Sequence, residues 1–228
     1  MLLTTCVFDA YGTLFDVNAA ARTAANEPNR ETFKEVWPSV SNLWRMKQLQ
    51  YTWLRSMTGT YIDFWTVTQD SLDYALEAHG LHKNFDLKDR LLALYWELQP
   101  YPEVSPMLKK LKTKGIKTAI LSNGSPEMLR SAVKSSNLFD VIDEIISVEK
   151  VKIFKPSSLV YEQVENVIEC SKSEVLFVSS NGWDIAGAAG FGFETAWVNR
   201  SKEPIDRLPD KPTHILRNLE AITSFFDS

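Results

Sequence analysis

The stretch LTTCVFDAYGTL at residues 3–14 joins a short apolar run to an aspartate and a glycine turn. The run from Leu3 to Phe8 is typical of a strand that is buried on both faces of a parallel sheet. Asp9 follows at once, where a carboxylate is unexpected unless it has a use, although a turn or helix cap is the ordinary alternative. Gly12 permits a tight turn beside it. The stretch predicts a first strand that ends in a functional acid.

Further short apolar runs follow in the second half of the chain, separated by amphipathic segments. The predicted strands are Lys117–Leu121, Glu144–Val148, Val175–Val178 and Thr195–Val198, and the predicted helices are Val104–Lys114, Pro126–Ser135, Ser158–Ile168 and Asp184–Ala189. This alternation is typical of the α/β class, and it predicts a doubly wound, mostly parallel sheet with helices on both faces.

The segment from residue 17 to residue 98 interrupts the alternation, because it is mostly helical and rich in aromatic residues. Glycines at positions 59 and 80 predict turns between its helices, and prolines at positions 100 and 102 predict a stiff return to the sheet. We therefore expect a helical cap of residues 17–98, inserted into an α/β core that consists of residues 1–16 and 99–228.

The composition is that of an ordinary soluble globular protein of 228 residues, with 44% hydrophobic and 24% charged residues. The net charge of −4 gives no basic excess for binding nucleic acid or an acidic membrane surface. Cys6 and Cys170 offer neither a disulfide framework nor the spacing of a metal site. With no apolar run of about 18 residues and no basic N-terminal region, we expect a cytoplasmic protein.

Four polar motifs follow predicted strands, at the edge where a doubly wound sheet binds its ligands. They are Asp9-x-Tyr11-Gly12-Thr13, Ser122-Asn123-Gly124, Lys155-Pro156, and Ser179-Ser180-Asn181-Gly182-Trp183-Asp184. With these motifs the chain resembles the haloacid dehalogenase superfamily, and specifically its L-2-haloacid dehalogenase branch. The likeness extends into the cap through Leu43-Trp44-Arg45-x-Lys47-Gln48-Leu49-x-Tyr51-Thr52-Trp53-Leu54-Arg55.

The resemblance implies hydrolytic dehalogenation of short L-2-haloalkanoic acids to D-2-hydroxy acids and halide. Asp9 would be the nucleophile, forming an aspartyl ester with inversion at C2. The small haloacid would be the partner, no cofactor would be needed, and two copies would form a homodimer through their caps.

Two departures from the phosphatases of the superfamily point the same way. Tyr11 replaces the aspartate that protonates a leaving alkoxide, and halide, a very weak base, leaves without a proton. Ser179 replaces an acid that helps to hold Mg²⁺, a cation that favours carboxylate ligands. Asp184 remains, but its neighbours are neutral, so we expect no metal.

The resemblance also assigns roles around Asp9. Lys155, otherwise an ordinary surface lysine, would compensate Asp9 and Asp184 and keep both ionised at neutral pH. Thr13 would donate to the nucleophile or only cap the turn, and Tyr161 would join the ion network or simply pack. Ser122 and nearby loop amides would bind the substrate carboxylate. Asn123 would contact the halide, and Asn181 and Ser179 would hold the hydrolytic water.

One cap helix is predicted to carry an apolar stripe at the 3.6-residue period. The stripe consists of Met46, Leu49 or Gln50, Trp53 and Met57. Arg45 borders it, and although a helical arginine is usually solvated, the resemblance makes it the receiver of the halide. Leu49, Phe64 and Trp183 would form the apolar wall around the alkyl group, or belong to the core.

Two other functions remain open. A metal-assisted phosphohydrolase would share the fold, but Tyr11 and Ser179 argue against it. A catalytically silent ligand-binding member would have no need for Asp9, Lys155 and Asp184 together.

Overall fold

A computed structural model describes residues 2–227, and a six-stranded sheet forms its centre. The strands are β1 (Thr5–Phe8), β2 (Lys117–Ser122), β3 (Glu144–Ser147), β4 (Val175–Ser179), β5 (Glu194–Val198) and β6 (His214–Leu216). Their order across the sheet is β3-β2-β1-β4-β5-β6, and all five neighbouring pairs are parallel. The prediction of a doubly wound parallel α/β core is confirmed.

Five helices lie between β1 and β2, and three more alternate with the strands that follow β2. They are α1 (Ala19–Ala25), α2 (Glu31–Thr58), α3 (Phe64–Ala78), α4 (Phe85–Trp96), α5 (Val104–Thr113), α6 (Pro126–Ser135), α7 (Ser158–Ile168) and α8 (Gly182–Phe191). Within residues 2–227, none is both long enough and apolar enough to cross a membrane.

The predicted strands and helices are present, with ends that differ by a few residues. Strand β6 was not predicted, because it has only three partly exposed residues at the sheet edge and no continuous apolar run. The predicted stripe on α2 is wrong: Met46 is 55% exposed and Met57 is 83% exposed. The buried face of that part of α2 carries Ser41, Trp44, Gln48 and Thr52 instead.

Helices α1 to α4 all lie between β1 and α5 in the chain, as the prediction of an inserted helical segment requires. The two connections of this segment run side by side. Asp16 N donates to Gln99 O at 2.9 Å, and Tyr101 N donates to Leu14 O at 3.0 Å. The segment therefore leaves and returns at one place, close to the end of β1.

Strand β1 is central and wholly buried. Phe8 pairs with Ile120 of β2 on one side and with Val178 of β4 on the other. Asp9 continues the pairing, since its backbone N donates to Val178 O at 2.9 Å. Because all strands are parallel, their carboxyl ends bring the loops after β1, β2, β3 and β4 to one edge.

Candidate active site

Asp9 lies at that edge and is only 6% exposed. Its carboxylate accepts three hydrogen bonds: from Lys155 Nζ to Oδ1 at 3.2 Å, and from Thr13 Oγ1 and Asn181 Nδ2 to Oδ2 at 3.0 and 3.1 Å. Donors on both oxygens fix the direction of a carboxylate. The Asp9 carboxylate is therefore held in one orientation.

Lys155 is buried, with 1% exposure, so its ammonium group needs partners. It lies between two carboxylates, at 3.2 Å from Asp9 Oδ1 and 2.9 Å from Asp184 Oδ2. The ring of Phe177 lies beneath it, with its centroid 5.0 Å from Nζ. The backbone N of Lys155 donates to Asn123 Oδ1 at 3.0 Å, which joins the loops after β2 and β3. The reading of Lys155 as a surface lysine is excluded.

Asp184 is fully buried in the first turn of α8. Tyr161, also fully buried, donates its hydroxyl to Asp184 Oδ1 at 2.8 Å, so it belongs to the ion network. Burial raises the pKa of Asp184; Lys155 opposes this rise, the charge of Asp9 adds to it, and the Tyr161 hydrogen bond opposes it. The net direction is upward, which makes Asp184 a stronger base than an exposed aspartate. Contact of Tyr161 with substrate stays a prediction.

The hydroxyl of Thr13 links the first and fourth motifs. It accepts from Ser180 N at 2.8 Å and donates to Asp9 Oδ2 at 3.0 Å. Beside it Gly12 has a φ of 89°, as the predicted turn requires. Ser179 is fully buried, and its Oγ accepts from Asn181 N at 3.1 Å, which orients the loop that carries Asn181 toward Asp9.

Arg45 reaches this edge from α2. Its Nη2 lies 3.3 Å from Tyr11 O and 3.4 Å from Asn181 Oδ1, and its Nη1 donates to Gln48 Oε1 at 2.9 Å. Arg45 of α2 therefore meets the loops after β1 and β4 beside Asn181, which itself donates to Asp9. This placement agrees with the predicted site, while the halide role itself stays a prediction.

Tyr11 is almost fully buried among aromatic rings. Its ring centroid lies 5.6 Å from those of both Phe64 and Tyr95. Burial raises the pKa of the Tyr11 phenol well above its ordinary value, so this group is a poor proton donor at neutral pH. A Cβ on Gly124 would lie only 2.8 Å from the Tyr11 ring, so glycine is required there.

Ser122 and Asn123 lie at the buried end of β2. Ser122 Oγ accepts from Gly124 N at 3.1 Å, which shapes the loop and leaves its hydroxyl proton for another acceptor. Ser125 caps α6 through Met128 N, so part of this motif serves the helix. The substrate roles of Ser122 and Asn123 stay predictions.

Trp183 lies in the first turn of α8 and contacts α2 through Trp53. The Trp183 ring packs edge-on against Trp53, with 5.4 Å between centroids. Trp53 and Trp183 line an apolar cleft of about 500 Å³, to which Phe154 and Lys155 also contribute. Leu49 is half-buried on α2, and its contact with substrate stays a prediction.

Three contributors were not predicted. Gln48 contacts Arg45 directly, and Tyr95 contacts Gln48. Gln48 belongs to the α2 segment that resembles the family, but no role was predicted for it. Arg200 donates to Thr13 O at 3.1 Å while it pairs with Glu103 at 2.6 Å. Arg200 follows β5, and no motif in the sequence marks it.

The residues present do not fit a divalent cation of the kind that the phosphatases hold. The ammonium group of Lys155 lies between the carboxylates of Asp9 and Asp184, the two acids that would have to share the metal. A second positive charge at this position would be repelled.

The chain is similar in sequence to a known family of hydrolases. The family model of haloacid dehalogenase-like hydrolases matches residues 3–192. (S)-2-haloacid dehalogenase 1 of Pseudomonas sp. (strain CBS-3) is 48% identical over 199 residues, which cover 87% of this chain and 86% of that protein.

Two solved structures extend the likeness to the whole fold. A dehalogenase crystal structure is 39% identical, with a TM-score of 0.93 and coverage of 99% of this chain and 98% of that one. The L-2-haloacid dehalogenase of Xanthobacter autotrophicus with chloropropionic acid covalently bound is 36% identical, with a TM-score of 0.85 and 98% coverage of both chains. The chain therefore belongs to the haloacid dehalogenase-like hydrolases and, within them, to the (S)-2-haloacid dehalogenase family.

Proposed function

We propose that the protein is a hydrolase of carbon–halogen bonds that converts short L-2-haloalkanoic acids to D-2-hydroxy acids and halide. The observation that carries the proposal is the Asp9 carboxylate, oriented by Lys155, Thr13 and Asn181, with Arg45 beside it. The family relationship supports the substrate class, and the relative with covalently bound chloropropionic acid supports an ester intermediate.

In the first step the Asp9 carboxylate attacks C2 of the haloacid from the side opposite the halogen. A carbon–oxygen bond forms while the carbon–halogen bond breaks, and the halide leaves with the electron pair. Arg45, Asn123 and Trp183 receive it. A planar, weakly hydrated guanidinium suits a large anion better than an ammonium group does.

In the second step a water molecule near Asn181, Ser179 and Asp184 attacks the carbonyl carbon of the Asp9 ester. Asp184 takes a proton from the water, a role that its raised pKa favours. Lys155 stabilises the negative charge that develops at Asp9. Asp184 returns that proton to the departing hydroxy acid, and the other proton of the water passes to solvent, which restores the Asp9 carboxylate.

The substrate is held at both ends. Ser122 and the loop amides before α6 bind its carboxylate, as the start of a helix favours anions. Tyr11, Leu49, Phe64 and Trp183 form the apolar wall against the alkyl group, with Tyr161 behind Asp184. The wall distinguishes the two enantiomers, because exchange of the methyl group and hydrogen at C2 would place the methyl group badly.

The reaction needs no metal in this proposal. Lys155 supplies the positive charge beside Asp9, and halide departure needs no acid at position 11. We also propose a division into a core (1–16 and 99–228) and a cap (17–98), a cytoplasmic location, and a homodimer through the cap helices. The exposed apolar side chains of Leu54 and Met57 on α2 support the homodimer.

One assay separates this function from a phosphohydrolase and from a silent binding protein. Purified enzyme is given L-2-chloropropionate or chloroacetate, and chloride release is measured; in parallel it is given a nitrophenyl phosphate with Mg²⁺. We expect chloride and no phosphate. Phosphate without chloride would favour a phosphohydrolase, and neither product would favour a binding protein.

A further inference from the structure

The guanidinium group of Arg45 is surrounded by neutral acceptors. Its neighbours are the side-chain oxygens of Gln48 and Asn181 and the backbone oxygen of Tyr11. Within residues 2–227, no carboxylate lies within ion-pair distance of it. Its charge is therefore oriented by neutral dipoles and remains available to an anion.

The amide group of Gln48 has only one orientation that satisfies its neighbours. The Thr68 hydroxyl donates its proton to Phe64 O at 2.7 Å, so it accepts from Gln48 Nε2 at 2.8 Å. The opposite end of the amide, Oε1, must then face Arg45 Nη1 at 2.9 Å. Helix α3 thus determines which atom Gln48 presents to Arg45.

A second contact fixes Gln48 from α4. The hydroxyl of Tyr95 lies 3.2 Å from Gln48 Nε2 and 3.3 Å from Oε1. The Tyr95 ring is stacked on Tyr11 at 5.6 Å and tilted against Trp44 at 5.0 Å. Gln48 is 1% exposed, so it has no freedom to turn toward solvent.

We propose that Gln48 is a positioning residue that aims Arg45 at the departing halide without neutralising its charge. This inference rests on the proposed function, in which Arg45 receives the halide. A carboxylate at position 48 would also accept from Arg45, but it would cancel the charge that attracts the anion. A neutral amide provides the orientation alone.

The test compares Gln48→Met with Gln50→Met. Gln50 lies on the exposed side of the same helix, where its side chain accepts from Lys47, so it is the matched control. Chloride binding is measured from the line width of the chloride NMR signal, and halide release is measured with chloro and bromo substrates. Folding of each variant is checked by circular dichroism and thermal unfolding.

For Gln48→Met we expect chloride affinity to fall on the order of tenfold or more, as for loss of a hydrogen bond to a charged group. The chloro substrate should lose more kcat/KM than the bromo substrate, because the poorer leaving group depends more on halide stabilisation. A merely structural role would lower thermal stability without changing this ratio. The control should match the wild type in all measurements.

Gln48→Glu keeps the size of the side chain and covers the case in which Gln48→Met does not fold. Its carboxylate pairs with Arg45, so chloride affinity should fall although Arg45 stays in place. The inference would be overturned if a folded variant bound chloride as tightly as the wild type does. It would also be overturned if the wild type itself did not bind chloride. Failure of the proposed function is seen separately, as no chloride release from chloropropionate by the wild type.

Discussion

The ammonium group of Lys155 lies 3.2 Å from Asp9 Oδ1, and both side chains are nearly inaccessible to solvent. The same ammonium contacts Asp184 at 2.9 Å, so one buried cation serves two buried carboxylates. Arg45, beside Asn181, supplies a second positive charge close to Asp9. The cluster is thereby prepared for a further negative charge, such as that of a carboxylic acid substrate.

Removal of the Lys155 charge should impair both activity and stability. In Lys155→Met two buried carboxylates lose their cation, and breaking such a pair costs about 3–5 kcal/mol of unfolding free energy. Activity should fall on the order of a hundredfold or more, because the charge at Asp9 is no longer stabilised. Halide release and urea unfolding measure the two effects, with exposed Lys150→Ala as the control. A near-normal rate in Lys155→Met would remove the lysine from the mechanism.

The raised pKa of Asp184 has a consequence for pH dependence. Burial is its main cause, with Lys155 opposing it and Asp9 adding to it. If ionised Asp184 serves as the base of ester hydrolysis, kcat should decline toward acid at a pH above the ordinary pKa of aspartate.

Stability should depend on Asp184 in the opposite sense to that of an aspartate whose pKa is lowered on folding. The folded state binds the Asp184 proton more tightly than the unfolded state does. The stability that this proton contributes is therefore present below the ordinary pKa of aspartate and is lost as pH rises through the raised pKa. The unfolding free energy of the wild type minus that of Asp184→Asn should therefore fall with rising pH over that window. A difference that grows with pH would show that Lys155 dominates burial.

Activity should survive exhaustive chelation. The ammonium of Lys155 already lies between the acids that a divalent ion would need. Halide release is measured before and after EDTA treatment and after Mg²⁺ is added back. Loss with EDTA and recovery with Mg²⁺ would refute the metal-free proposal.

Arg45→Lys should lose most activity although its charge is retained. A lysine cannot span Gln48, the Tyr11 carbonyl and Asn181 with one planar group, as the guanidinium does. Arg55→Lys is the control, since Arg55 lies on the same helix in an outer ion pair with Asp70. Turnover equal to that of the wild type in Arg45→Lys would place the halide elsewhere.

The convergence of Asp9, Lys155 and Asp184 was predictable because each follows a strand of one parallel sheet. Because parallel strands end at the same edge of a sheet, residues that follow different strands are expected to lie close together in space. The structure confirms this for the loops after β1, β2, β3 and β4. The resemblance supplied Arg45, which a helical pattern would have left on the solvent side.

The buried face of α2 was not predictable from hydrophobic periodicity. It carries Gln48 and Thr52, whose polar groups are buried because hydrogen bonds satisfy them, while Met46 and Met57 are exposed. Gln48 finds its partners on α3 and α4, about 20 and 47 residues away. Such a network depends on how helices pack, and local sequence carries little trace of it.

The most direct test of covalent catalysis by Asp9 follows a single turnover in oxygen-18 water, with enzyme in excess over L-2-chloropropionate. If Asp9 attacks C2, configuration inverts once and the first D-lactate carries ordinary oxygen from the Asp9 carboxylate. The label then enters the Asp9 side chain, because water attacks the ester carbonyl and not C2. Direct attack of water on C2, with Asp9 as general base, would also invert configuration. Labelled lactate together with an unlabelled Asp9 peptide in the mass spectrum would contradict the covalent mechanism, whatever the variants show.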